Sequence, residues 1–205
     1  MKTRSFKKAF NKADNYYTPK MLVKPLIPFL DNYFCIFANA VESGRAAHTI
    51  YCPFDTEKSE YVITLKEAGY NVIYGSIETG QDFFEKPIPK EADIVVSNPP
   101  FSLKLEVFQK CVYEEKPFAL LMNMMAINYQ EIGFFFASLY PGDIQFIIPD
   151  KKVSFNGKTS SFCSGYVCYK FIKSTEFIHL DHNNTGVNYK PAAYYQDCIE
   201  NTDRR

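Results

Sequence analysis

Tryptophan is absent from this 205-residue chain, glycine occurs only 9 times, and the formal net charge is zero, with 23 basic and 23 acidic side chains. The balanced charge excludes a global field that would draw in a polyanion, so any nucleic-acid contact has to come from local clusters. No apolar run reaches the length of about 20 residues that a membrane-spanning helix needs. The start, Met1-Lys2-Thr3-Arg4, leads into a polar stretch rather than a signal-peptide core, and a cytoplasmic protein is expected. Cys35, Cys52, Cys111, Cys163, Cys168 and Cys198 form no C-x-x-C pair, and several lie in apolar runs. Buried free thiols fit that pattern better than a disulfide framework. His179-Leu180-Asp181-His182 has no accompanying Cys or His cluster, so a solvated loop and no metal is expected there.

What the chain does have is apolar and aromatic material: 46% hydrophobic residues, 19 Phe and 15 Tyr, enough to bury the core of one compact domain. Apolar residues in 20–33 recur with helical spacing, interrupted by Pro25 and Pro28. Strands are expected over 48–54, 70–74, 94–97 and 118–124, alternating with helices over 56–68, 103–111 and 130–139. After Pro141-Gly142 the pattern changes to two consecutive strand-like runs, 144–148 and 164–172. Repeated β-α units ending in paired strands predict an α/β fold with a mostly parallel sheet and an antiparallel edge hairpin. Residues 20–172 then form the domain, 1–19 an amino-terminal arm, and 173–205 an extension without a clear period.

The most informative segment is Asn98-Pro99-Pro100-Phe101, placed where the apolar run 94–97 gives way to a helix-prone stretch. Turns at the carboxyl ends of α/β strands are where ligands bind. An exocyclic amine on adenine is a poor nucleophile because its lone pair is delocalised into the ring. An Asn oxygen and a prolyl carbonyl can both accept hydrogen bonds from that amine, localising the lone pair and aiming it at an electrophile. Two prolines stiffen the turn and hold both acceptors in place, and Phe101 offers a face for a base to stack on.

This tetrapeptide resembles the catalytic motif of S-adenosylmethionine-dependent amino-group methyltransferases, above all the adenine-N6 DNA methyltransferases. Asn15-Tyr16-Tyr17-Thr18-Pro19 is similar to the amino-terminal cofactor-contacting segment of enzymes in which the cofactor half comes first. Gly80-Gln81-Asp82-Phe83-Phe84 is similar to the acidic segment that reads the cofactor's adenine. The resemblance implies a Rossmann-like methyltransferase fold, S-adenosylmethionine as cofactor and DNA as substrate. In it, Asn98 and Pro99 orient the amine within the turn that Pro100 stiffens, and Phe101 stacks on the base. Asp82 and Phe83 hold the cofactor adenine, and Tyr17, Thr18 and Pro19 close the pocket.

Two positions depart from the family pattern. The turn after the first strand reads Cys52-Pro53-Phe54-Asp55-Thr56-Glu57-Lys58-Ser59 and contains no glycine. It resembles a glycine-poor variant found in some bacterial and phage adenine methyltransferases, in which Pro53, Phe54 and Asp55 contact the cofactor and Asp55 takes its ammonium. Asp55 can equally serve as a helix N-cap. The acid that usually receives the ribose hydroxyls is replaced by Ser76. Glu78 lies two residues later, on the same side if the strand continues, and otherwise is a plain solvent-exposed loop residue.

For nucleic acid, the sequence offers Lys2, Arg4, Lys7, Lys8, Lys12 and Lys20 against one acid, Asp14, and a second basic loop, Lys151, Lys152 and Lys158 around Phe155-Asn156-Gly157. Either could contact phosphates. With no room for a separate recognition domain, specificity falls to a few loops, a partner subunit or a homodimer. The same tetrapeptide also serves methyltransferases of RNA adenine and protein glutamine, and a methyltransferase fold that has become a binding protein is the alternative outside enzymes.

Overall fold

Proline decides where the first helical segment breaks. Helix α1 spans Lys20–Val23 and α2 spans Leu26–Ala38, so the stripe expected over 20–33 is two helices parted at Pro25, which has no N–H to continue the ladder. Pro28 is tolerated because it sits in the first turn of α2, where amide donors have no intrahelical acceptor. The computed structural model describes residues 18–38, 44–155 and 163–180. Residues 1–17, with Tyr17 and all the arm's basic side chains except Lys20, which pairs with Glu67 at 2.7 Å, lie outside the described residues, as do Asn156, Gly157, Lys158, His182 and Cys198.

Among the described residues seven strands form a single sheet: β1 (Thr49–Cys52), β2 (Asn71–Tyr74), β3 (Ile94–Ser97), β4 (Phe118–Asn123), β5 (Ile144–Pro149), β6 (Ser164–Tyr169) and β7 (Glu176–Ile178). Their order across the sheet is β2-β1-β3-β4-β6-β5-β7. β1 pairs in parallel with β2 and β3, and β3 with β4. β6 runs antiparallel to both β4 and β5. The antiparallel pair expected from the sequence is therefore present, with β6 on the inside, and β7 continues the sheet beyond β5 in parallel. Only three residues of the tail make β7, too few to show a period in the sequence.

The helices α3 (Glu60–Glu67), α4 (Lys104–Tyr113) and α5 (Gln130–Ala137) fill the connections. Side chains alternate across each strand and so feed two cores. Ile50, Ile94, Val96, Ala119, Leu121, Tyr166 and Cys168 pack with α1, α2 and α3 through Leu22, Leu26, Leu30, Tyr61 and Leu65. Tyr51, Val95, Phe118, Leu120, Met122 and Val167 pack on the other face with α4 and α5 through Val107, Phe108, Cys111 and Ile132. Burial on both faces is why β3, β4 and β6 read as continuous apolar runs. Among the described residues Cys52, Cys111 and Cys168 are buried free thiols, while Cys163 is exposed. No helix among the described residues is long and apolar enough to cross a membrane.

Candidate active site

A cavity of about 240 Å³ opens across the carboxyl ends of β2, β1 and β3. The topology makes this the natural place, since loops from three adjacent parallel strands converge there. From the loop after β1 come Pro53, Phe54, Asp55 and Thr56; from the loop after β2, Ser76, Glu78, Asp82 and Phe83; from the turn after β3, Asn98 and Pro100. Thr18 reaches in from the segment before α1. Gln81 and Phe84 of the acidic segment line it too, and residues that the sequence did not single out, Tyr61, Ile77 and Leu103 among them, complete the wall.

Of the tetrapeptide Asn98-Pro99-Pro100-Phe101, Asn98 and Pro100 face this cavity. Pro99 is buried, and Phe101 is half-buried against the α4 side of the core. Pro19 also stays off the wall; it sits at the start of α1, where its carbonyl accepts from Leu22 N at 2.9 Å. Asn98 Nδ2 donates to Thr18 Oγ1 at 3.1 Å, joining the turn after β3 to the amino-terminal segment. Beside the turn, Lys104 Nζ donates to the Phe101 carbonyl at 2.9 Å and lies 4.6 Å from the centre of the exposed Tyr129 ring.

Asp55 is buried under the cavity floor and does not cap α3. That helix starts at Glu60 with Ser59 at its N-cap, so the helix expected from residue 56 begins four residues later. The Asp55 carboxyl accepts the hydroxyl of Ser97, and Ser59 hydrogen-bonds it as well. Burial outweighs both donors and pushes its pKa up to about 7. Its backbone N–H donates to the Gly75 carbonyl at 3.0 Å, which ties the glycine-free turn to the end of β2.

Glu78 does not lie on a continuing strand. Residues Ile77–Thr79 form a 3-10 turn closed by Gly80 in the left-handed region, so the alternation argument fails past Ser76. Glu78 is exposed, yet the turn still brings it to the cavity mouth. Asp82 combines two readings: Oδ1 accepts from Phe84 N at 2.9 Å in a local turn, and the carboxylate still lines the cavity. Phe54, Phe83 and Phe84 pack edge to face beside it, with centroids 5.1 and 5.3 Å from Phe83. In the second basic loop, Phe155 is a core residue and Lys151 donates to the Leu180 carbonyl, so that segment anchors the chain after β7. His179 is exposed and hydrogen-bonded to Asp150.

A sheet of this order with a cavity over its central strands is the class I methyltransferase fold. It is shared with a putative class I S-adenosylmethionine-dependent methyltransferase from Listeria monocytogenes, at a TM-score of 0.54 and 12% identity over 95% of this chain and 73% of that one. A modification subunit of a putative type I restriction enzyme from Vibrio vulnificus YJ016 gives a TM-score of 0.56 at 9% identity, covering 98% of this chain and 55% of the other. The type I restriction-modification methyltransferase subunit from Streptococcus thermophilus gives 0.52 at 13% identity, covering 92% and 53%. The chain spans about half the length of these two subunits. It belongs to the family described as adenine-specific methyltransferase EcoRI, whose model matches residues 39–190. No curated protein sequence matches the chain.

Proposed function

We propose that the protein transfers a methyl group from S-adenosylmethionine to the N6 amine of adenine in DNA. The observation that carries this reading is that Asn98, Asp55 and Asp82 wall one cavity. An amine-orienting turn and two carboxylates suited to the two ends of the cofactor then serve the same space. The residues fit that group. The buried Asp55 carboxyl is suited to the cofactor's ammonium, because a cation beside it would favour the ionised form that burial opposes. The hydroxyl of Ser76 is buried in the wall and has no partner outside its own turn among the described residues, which suits a ribose hydroxyl. Glu78 stands at the mouth for the same sugar, and Asp82 with the Phe54–Phe83–Phe84 group suits the adenine.

When bound, the cofactor supplies a methyl on a sulfonium, lost to the attacking nitrogen as the sulfur recovers the bonding electron pair. Asn98 Oδ1 and the Pro99 carbonyl accept the two amine hydrogens and turn the nitrogen lone pair towards the cavity. The prolines keep both acceptors preorganised, so little reorganisation accompanies the reaction. No dedicated base is required at the turn, since the amine proton leaves to water after transfer. Phe101 supplies a stacking face on the target side, and DNA contacts come from loops, a partner subunit or a second copy.

Incubating the protein with S-adenosylmethionine carrying a labelled methyl and adenine-containing DNA, then digesting to nucleosides, tests this directly. Label in N6-methyldeoxyadenosine is the expected result. Label in RNA adenine or protein glutamine instead reassigns the substrate, and no heat of cofactor binding in calorimetry marks a binding protein of methyltransferase fold.

A further inference from the structure

Beneath Asn98 the buried hydroxyls form a chain with a single direction. The Leu22 carbonyl, at the end of α1 where Pro25 interrupts the helix, can only accept, and Tyr166 Oη donates to it at 3.0 Å. Having spent its proton there, Tyr166 accepts from Tyr61 Oη, also at 3.0 Å. Tyr61 is hydrogen-bonded to Thr18 as well, and with its own proton committed to Tyr166 it accepts from the Thr18 hydroxyl. Thr18 Oγ1 is then left to accept, and the group it meets at 3.1 Å is the Asn98 amide. Thr18, Tyr61 and Tyr166 are 6%, 1% and 0% exposed, so bulk water does not replace a missing member.

The two ends of a carboxamide are nearly the same shape and opposite in hydrogen-bonding sense. Turned over, Asn98 would present N–H donors to an amine that also carries N–H donors, and the lone pair would lose its orienting acceptor. We propose that the chain anchored at the Leu22 carbonyl fixes the Asn98 amide with its oxygen towards the target amine, and that Tyr61 and Tyr166 are positioning residues of the reaction. This rests on the methyltransferase reading above. Neither tyrosine acts on the substrate; each acts through Thr18 and Asn98. Without the Tyr166 hydroxyl, Tyr61 can turn its proton to Thr18, Thr18 can turn its own to Asn98, and the whole chain reverses.

Tyr166→Phe keeps the ring in the core and removes only the anchor. The expected result is a kcat lower by about tenfold, the worth of one neutral hydrogen bond, with cofactor Kd and KM for DNA unchanged within about twofold. Tyr61→Phe breaks the chain at a second point and should lower kcat likewise; since Tyr61 also lines the cavity, the unchanged cofactor Kd is expected of Tyr166→Phe. In spectra of protein with labelled asparagine side chains, one Asn98 amide proton should exchange slowly in the wild type and lose protection in both variants. Unchanged kcat in a folded variant, or a loss shared equally by cofactor affinity and melting temperature, overturns the positioning role. The amide measurement needs no substrate: an unprotected Asn98 amide in the wild type overturns the chain itself. A protected amide in a protein that methylates no nucleic acid overturns the function instead and leaves the chain standing.

Discussion

Ser97, the last residue of β3, donates its hydroxyl to the carboxyl of Asp55 in the loop after β1. This contact joins the strand that presents Asn98 to the glycine-free turn, so the two halves of the cavity are coupled through one buried carboxyl. Such a group is costly to ionise without a ligand beside it.

The cost has a sign. Asp55 titrates at about 7 in the fold against 3.8 as its ordinary value, so the folded state holds the proton more tightly. Its contribution to stability is full below about pH 4 and is lost as pH rises through 7. Without ligand, Asp55→Asn should match the wild type in stability near pH 4 and exceed it near pH 8, by at most about 4 kcal/mol. Parallel melting curves across pH 5 to 8 would show that Asp55 is not a buried titrating group.

Asp82 offers a separation of turn from charge. Asn can still accept from Phe84 N as Asp82 Oδ1 does, so Asp82→Asn keeps the local turn. Asp82→Ala loses both. We expect both variants to bind S-adenosylmethionine about tenfold to a hundredfold more weakly, the worth of a charge-assisted hydrogen bond of about 1.5–3 kcal/mol. Wild-type affinity in Asp82→Asn together with weak binding in Asp82→Ala would reduce this residue to its turn.

Legibility in the sequence followed the range of the interactions. β3 and Asn98 could be read because an apolar run ends at a Pro-Pro pair, a signal contained in a few consecutive residues. Of the two readings open for Glu78 the strand fails and the exposed loop holds, because nothing in Gly75-Ser76-Ile77 announces the 3-10 turn that Thr79 closes onto the Ser76 backbone. The helix after β1 begins later than its sequence pattern suggests because Thr56 and Ser59 bond each other in a turn of their own. Tyr61 and Tyr166 carried no signal at all, since their contact spans 105 positions and depends on β6 being inside the sheet.

That inner position also limits β6 sterically. A Cβ at Gly165 would lie 2.6 Å from Met124 Sδ and 3.1 Å from the Ile147 carbonyl of β5. Met124 can move, but a backbone carbonyl in the neighbouring strand cannot do so cheaply. Gly165→Ala should therefore cost about 1–3 kcal/mol in denaturant unfolding, the usual penalty of overpacking. A stability equal to wild type would mean that β5 and β6 are not held in this register.

Phe101 is half-buried outside the cavity wall, packed against the α4 side of the core, with its carbonyl held by Lys104. If the target base leaves the duplex, 2-aminopurine at that position should brighten on binding as unstacking relieves its quenching. Phe101→Ala should lose roughly 1–3 kcal/mol of binding to such DNA. No brightening and no loss would remove Phe101 from the DNA side of the site.

The role proposed for Asn98 is open to a single comparison: labelled-methyl transfer to DNA by wild type and Asn98→Ala, with cofactor affinity measured on both. Removing one preorganised hydrogen-bonding group from a reacting centre costs about a hundredfold or more in rate. The expected result is transfer to adenine N6 by the wild type, a loss of at least that size in Asn98→Ala, and S-adenosylmethionine affinity within a few-fold between them. An Asn98→Ala protein that methylates DNA at a comparable rate would rule out Asn98 as the amine-orienting group.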